Sequence, residues 1–209
     1  MADAPFTHLV TSEEELRASG YPEPLPRAWA KEIDALDEHC AAFLARCPLA
    51  MLATSGPGGS TTVSPRGGPP GFVRMLDPHR IAWADLTGNR RLDAFRHILA
   101  NPEVGLLLLI PGMRETLRID GTAHLTRDPA ILRAVDVPGR TADLAVGLHV
   151  RVAFLQCGKA MIRSRVWEPE SWPHALPSAA EMLRAARADG VTLDEVEETL
   201  DESYRTRLW

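Results

Sequence analysis

The chain has 209 residues, enough for one sizeable core and too few for two full-size domains. Its 45% hydrophobic and 24% charged residues are ordinary for a globular protein, and its longest apolar run, Val104 to Ile110, is strand-sized, which argues against a membrane span. The net charge of −5 is unevenly placed: residues 1–50 carry four Lys/Arg against nine Asp/Glu and residues 178–209 four against eight, while residues 60–177 are net positive, a pattern that suits a focused anion site and excludes a nucleic-acid coat.

The N-terminus, Met1-Ala2-Asp3-Ala4-Pro5, lacks a basic segment followed by an apolar one, so the expectation is a cytoplasmic protein without a secretory signal. Ser12-Glu13-Glu14-Glu15 is a capping-box pattern for a short first helix, which the proline-rich run Tyr21 to Pro26 then breaks. Trp29, Ile33, Leu36, Cys40, Phe43, Leu44 and Cys47 recur at steps of three and four, predicting one amphipathic helix from Pro26 to Cys47. Cys40 and Cys47 would stand about 10 Å apart along that helix, too far to bridge, and three cysteines make no disulfide framework. The seven histidines are scattered without metal-ligand spacing, so no metal centre is expected.

From Leu49 the period shortens. Strands are predicted at 49–54, 61–65, 72–76, 80–85, 104–110, 115–125 and 147–155, seven in all, which suggests a barrel. Gly56-Pro57-Gly58-Gly59 lacks the Gly-Lys-Ser/Thr ending of a nucleotide loop and reads as a hairpin turn. Arg90 to Leu99 is one helix among the strands, with Leu92, Phe95 and Leu99 on one face and Asn101-Pro102 ending it. Asp120-Gly121 resembles a hairpin turn, yet Leu117, Ile119, Ala123 and Leu125 keep the same parity through it, which favours a single long strand. From Ser178 onward two short acidic helices are expected. The organisation is thus a single domain: an N-terminal helical segment at 1–47, a barrel at 48–167 and a C-terminal helical tail at 168–209.

The chemistry concentrates between Ser64 and Arg91. Asn89 is a plausible N-cap, which would put Arg90 and Arg91 in the first turn of the helix, where the unpaired N–H groups and partial positive charge disfavour cations unless an anion is present. Paired arginines at a helix start serve either as solvated surface or as bidentate phosphate ligands. Arg66 ends a strand between Pro65 and Gly67-Gly68, which fits either a close approach of the backbone to a ligand or a glycine-rich hairpin. No Gly-x-Ser-x-Gly elbow, catalytic Cys/His signature or paired carboxylates occur in the central region, so protein-based nucleophilic chemistry has no visible machinery and no catalytic side chain is singled out.

The order Ser64-Pro65-Arg66, Ile81-Ala82-Trp83-Ala84-Asp85, Asn89-Arg90-Arg91, Asn101-Pro102 before an apolar strand, then Arg114 to Gly121, resembles the FMN-binding split barrel of the pyridoxamine 5′-phosphate oxidase superfamily over roughly residues 45–167. The pattern Val63-Ser64-Pro65-Arg66-Gly67 … Pro70-Gly71-Phe72-Val73 with Gly88-Asn89-Arg90-Arg91 is most similar to its branch of uncharacterised FMN-dependent flavoproteins. The resemblance implies a mainly β, α+β fold with flanking helices, FMN as cofactor, a homodimer, and a small organic substrate at the flavin face in a dimer cleft. It implies that Arg66, Arg90 and Arg91 hold the FMN phosphate, that the strand through Thr62, Val63, Ser64 and Pro65 lies along the ring system, and that Trp83 and Ala84 also contact the cofactor. Thr116 stands where the oxidase has a glutamine contacting the flavin. Gln156-Cys157 resembles the pair that reaches the flavin in the dimer, and Lys159, Arg163, Arg165 and Trp167 could line the same cleft.

Departures from the pattern bear on the substrate. The oxidase's Arg-x-His signature has no clear counterpart in Arg163-Ser164-Arg165-Val166-Trp167, which counts against pyridoxamine phosphate. The implied function is an FMN-dependent oxidoreductase. The alternatives are a flavin carrier or sensor without turnover, or the same barrel holding a deazaflavin or haem. Neither nucleic acid nor a membrane is an expected partner.

Overall fold

A computed structural model of the chain describes residues 6–86, 88, 90–137, 141–187 and 189–207. It divides into two compact units, Met1–Glu32 and Ile33–Trp209. The first contains α1 (Glu13–Ala18) and α2 (Pro26–Trp29). Ser12 caps α1 by accepting from the Glu15 N–H at 3.1 Å, but the Glu15 carboxylate accepts from the Thr11 N–H instead of closing the box on Ser12.

The second unit opens with α3 (Glu38–Leu44). The single helix predicted from Pro26 to Cys47 is therefore not formed; it is two short helices joined by turns and bends around a bridge at Ile33. Two competing demands break it. The backbone at Ile33 exchanges hydrogen bonds with Ala153, at 2.9 and 2.8 Å, and the Leu36 N–H donates to the Pro78 carbonyl. Asp37 then starts a new helix, its carboxylate accepting from the Cys40 N–H at 2.8 Å. Trp29, placed on the apolar stripe by its spacing, is 61% exposed. Cys40 and Cys47 are buried, and burial raises both thiols above their ordinary value.

Seven strands follow: β1 (Leu49–Ser55), β2 (Thr61–Gly67), β3 (Arg74–Asp77), β4 (Arg80–Ala84), β5 (Glu103–Leu109), β6 (Thr116–Thr126) and β7 (Ala145–Gln156). They form one antiparallel sheet in the order β2-β1-β5-β6-β7-β4-β3. With its helices the sheet is the α+β split barrel that the family resemblance implied, and the seven strands are those the alternation predicted. The inserted helix, α4 (Asp93–Ala100), packs Ala94, Phe95 and Ile98 onto the core. Alternation sends Leu52, Ile81, Trp83, Leu106, Leu108, Ile119 and Leu148 inward, each essentially inaccessible. Two helices unforeseen in the sequence, α5 (Pro129–Ala134) and α6 (Lys159–Ser164), follow β6 and β7, and α7 (Ala179–Ala185) and α8 (Leu193–Thr206) each begin with a full capping box.

β6 runs unbroken through Asp120-Gly121. The irregularity lies opposite, where Asp120 pairs with Val152 and Gly121 with Val150, so that Arg151 of β7 is the extra residue of a bulge. Gly121 permits this close approach: a Cβ there would lie 2.0 Å from the His149 carbonyl oxygen. The glycine run between β1 and β2 is a tight turn closed by the Gly56 N–H on the Ser60 carbonyl.

Candidate functional site

β2 is an edge strand, paired only with β1, and its alternation sets the character of one wall. Thr62, Ser64 and Arg66 fall on its half-buried face, whereas Val63 and Pro65 are exposed. That face borders a cavity of about 650 Å³ lined also by Arg90, Arg91, Asp93 and Phe95. A second cavity of about 440 Å³ adjoins it, sharing Arg66, Asp85 and Phe95 and adding Phe72, Trp83 and Ala84. Arg66 thus stands in the wall of both, its guanidinium carbon 5.9 Å from the centre of the Phe95 ring.

Two polar atoms of this wall are buried with no hydrogen-bond partner: the hydroxyl oxygen of Ser64 and Nε of Arg66. Buried donors without acceptors cost free energy, and their clustering on one cavity wall signals a ligand that supplies acceptors. Burial lowers the pKa of Arg66, while the Asp85 carboxylate acts in the opposite direction. Arg66 stays cationic despite its burial, since the ordinary value of an arginine lies so far above neutrality. The donor set therefore suits an oxyanion.

The helix boundary differs from the one expected. α4 starts at Asp93, with Leu92 as N-cap, so Arg90 and Arg91 precede the helix and do not occupy its first turn. Arg90 and Leu92 both adopt left-handed backbone, φ 60° and 59°, a conformation that few non-glycine residues accept. This kinked approach brings both arginines to the cavity by its path and not by a helix dipole. Arg91 is also held by Asp93, Nε to Oδ2 2.8 Å. Asn89, assigned as N-cap from the sequence, lies outside the described residues.

The structure gathers Val63, Ser64, Pro65, Arg66, Arg90 and Arg91 around the larger cavity, and Trp83 and Ala84 around the smaller one. Thr116, Gln156, Cys157, Lys159, Arg163, Arg165 and Trp167 line neither. Thr116 and Gln156 are paired in register at one end of β6 and β7, Thr116 buried and Gln156 exposed, with Cys157 exposed beside them. Gly158 abuts Arg114, leaving under 3 Å for a Cβ, and the Trp167 indole N–H donates to the Met113 carbonyl at 2.8 Å. Lys159 and Arg163 lie on α6, and Arg165 pairs with Glu168 at 2.6 Å. Trp172 donates its indole N–H to the Val166 carbonyl at 3.0 Å.

Sequence reasoning missed Asp85, Phe95 and Phe72 as cavity residues. Asp85 follows the apolar strand Ile81–Ala84 as an abrupt charge, a signal of a lined opening; Phe95 reads as core because it does both, packing inward while its ring edges the cavity.

No curated protein sequence matches the chain. Among solved structures, HupZ of Group A Streptococcus is 15% identical with a TM-score of 0.48, over 58% of this chain and 94% of that one. A protein of Clostridium acetobutylicum related to general stress protein 26, of the pyridoxinephosphate oxidase family, is 13% identical with a TM-score of 0.44, over 58% and 91%. An FMN-binding protein of Syntrophomonas wolfei is 8% identical with a TM-score of 0.43, over 55% and 82%. The sequence profile described as pyridoxamine 5′-phosphate oxidase matches residues 36–151, the span that carries α3, all of β1 to β6 and most of β7. With strand order, inserted helix and profile agreeing, the chain belongs to the pyridoxamine 5′-phosphate oxidase family.

Proposed function

We propose that the protein is an FMN-binding flavoprotein and an oxidoreductase for a small organic substrate. One observation carries this reading: Ser64 and Arg66, whose buried hydroxyl and Nε have no hydrogen-bond partner, line a cavity that Arg90 and Arg91 also line. That donor set fits a phosphate monoester, and the adjoining cavity, walled by Phe72, Trp83 and Phe95, fits a planar ring. Arg66, Arg90 and Arg91 would hold the phosphate, with Ser64 as a further donor; Val63 and Pro65 present strand backbone; Trp83 and Ala84 bound the ring's cavity. When bound, the flavin supplies the electron transfer. The chain's own part is to fix the anion, exclude water with the aromatic wall and leave one approach open to substrate.

The cluster of Thr116, Gln156 and Cys157, with Lys159, Arg163, Arg165 and Trp167 following, belongs in this reading to a homodimer, in which it completes the cleft of a partner copy. Support comes from its position away from both cavities of its own chain. A cytoplasmic location accords with the chemistry, and no described helix is long and apolar enough to cross a membrane.

The test is the visible spectrum of the purified protein with mass identification of the ligand released on denaturation. A flavin spectrum and FMN are expected; colourless protein releasing no FMN would overturn the reading, and a released deazaflavin or a Soret band would replace the cofactor. Repeated bleaching by NAD(P)H or a small organic donor distinguishes turnover from a carrier or sensor.

A further inference from the structure

Behind the β2 wall a chain of side-chain hydrogen bonds runs from a buried threonine to the exposed β1–β2 turn, and no cofactor contact explains it. The Thr54 hydroxyl, on β1 and 4% exposed, lies 2.9 Å from the Thr62 hydroxyl and 3.1 Å from Nδ1 of His97 on α4. Nε2 of His97 lies 3.3 Å from the Ser60 hydroxyl, which itself donates to the Pro57 carbonyl at 3.2 Å. The β1–β2 turn is cut to hold this ring, because a Cβ on Gly56 would stand 2.4 Å from its Cδ2. Thr62 at the other end of the chain borders the larger cavity.

Each hydroxyl owns one hydrogen, so the chain has a direction. When the ring carries its proton on Nε2 alone, Nε2–H donates to Ser60, Thr54 donates to Nδ1, and Thr62 must donate to Thr54. Every group is then satisfied, and Thr62 shows the cavity only lone pairs. When Nδ1 carries a proton, Thr54 accepts from it and donates to Thr62, which frees the Thr62 hydrogen to point into the cavity. That arrangement leaves a donor unsatisfied until an acceptor arrives.

We propose that His97 is a positioning residue for the ligand: an oxyanion in the larger cavity draws a proton onto Nδ1, and the Thr54–Thr62 chain then turns the Thr62 hydroxyl into a donor to that oxyanion. The proton comes from solvent, to which the half-buried ring is open, or by exchange with the one on Nε2; each hydroxyl keeps its single hydrogen throughout. Ser64 and Arg66, two and four residues along the same face of β2, make Thr62 the third rung of a donor ladder. The charged and titratable groups on the elements that pack around His97 are Asp93 and Arg96 of α4 itself, Arg66 of β2, and Arg118, Asp120 and His124 of β6; β1 has none. The inference rests on the reading of this cavity as a phosphate site, and it is separable from the identity of the flavin.

The experiment follows the His97 ring nitrogens by ¹⁵N NMR in the full-length, flavin-free protein, assigned by loss of the signals in His97→Asn. On titration with FMN, Nδ1 converts from the bare to the protonated type; riboflavin, which lacks the phosphate, leaves it unconverted. Thr62→Val weakens FMN about tenfold, the scale of one charge-assisted hydrogen bond. His97→Leu does the same but adds nothing in the Thr62→Val background, and His97→Asn, whose amide can donate near the Nδ1 position, restores binding to within about threefold. If FMN does not bind while inorganic phosphate converts Nδ1, the flavin reading falls and the relay stands. An Nδ1 that stays bare in both titrations, or losses that multiply in the double variant, overturns the relay.

Discussion

Arg66 shows how one side chain can be worse for folding than for function. Its Nε is buried without a partner and its guanidinium is partly desolvated against Phe95, a state that opposes stability and that a bound anion would relieve. Replacing it should separate the two roles. Arg66→Ala is expected to weaken FMN by roughly 10- to 100-fold, corresponding to about 1.5–3 kcal/mol for a charge-assisted contact, while leaving riboflavin affinity unchanged. Thermal unfolding of the ligand-free variant should occur at the same temperature or higher. A parallel loss for riboflavin, measured by fluorescence titration, would move Arg66 away from the phosphate.

At the scale of elements, the start of α3 and the β6–β7 bulge each depend on one residue. The Asp37 carboxylate is lowered below its ordinary value first by the Cys40 backbone N–H it accepts. Because the folded pKa is depressed, the cap stabilises above the unfolded carboxyl's pKa and that contribution is lost as pH falls through the folded one. Asp37→Ala should therefore lower the unfolding temperature at neutral pH, by a difference that shrinks in acid; a pH-independent difference would assign the effect to something other than the charge. Gly121 faces a backbone carbonyl that cannot move without breaking β7. Gly121→Ala is expected to cost about 3 kcal/mol or more, near the top of the overpacking range, which for a chain of this size lowers the unfolding temperature by roughly 6–12 °C. Calorimetry checks both.

For the whole molecule, the prediction concerns a second copy. The apolar strand β5 leaves little surface over for a partner, since Val104, Leu106 and Leu108 are buried in the single chain and Leu107 is half-buried. What remains outside is scattered, with Val63 71% and Leu155 47% exposed, and the cluster around Thr116 and Gln156 stands apart from both cavities. Completion of the cleft by a partner predicts a light-scattering mass near twice 22.9 kDa. A mass near the single-chain value would remove that cluster from the site.

Local pattern determined what alternation and punctuation can determine. Seven strands, the turn at Gly56–Gly59, the helix before Asn101 and the continuity of β6 through Gly121 follow from side-chain parity and from residues that stop a helix or tighten a turn, and the arginines near the cavity were legible as charges needing an anion. Tertiary structure decided where the periodic stripe from Pro26 to Cys47 stops being helix, because Ile33 and Leu36 give their backbone groups to partners more than forty residues away. It also decided how Arg90 and Arg91 reach the cavity, through left-handed backbone before α4 and not from its first turn. The pairing of Thr54 with His97 was likewise invisible, since hydrogen bonds between side chains forty-three positions apart leave no local period to read.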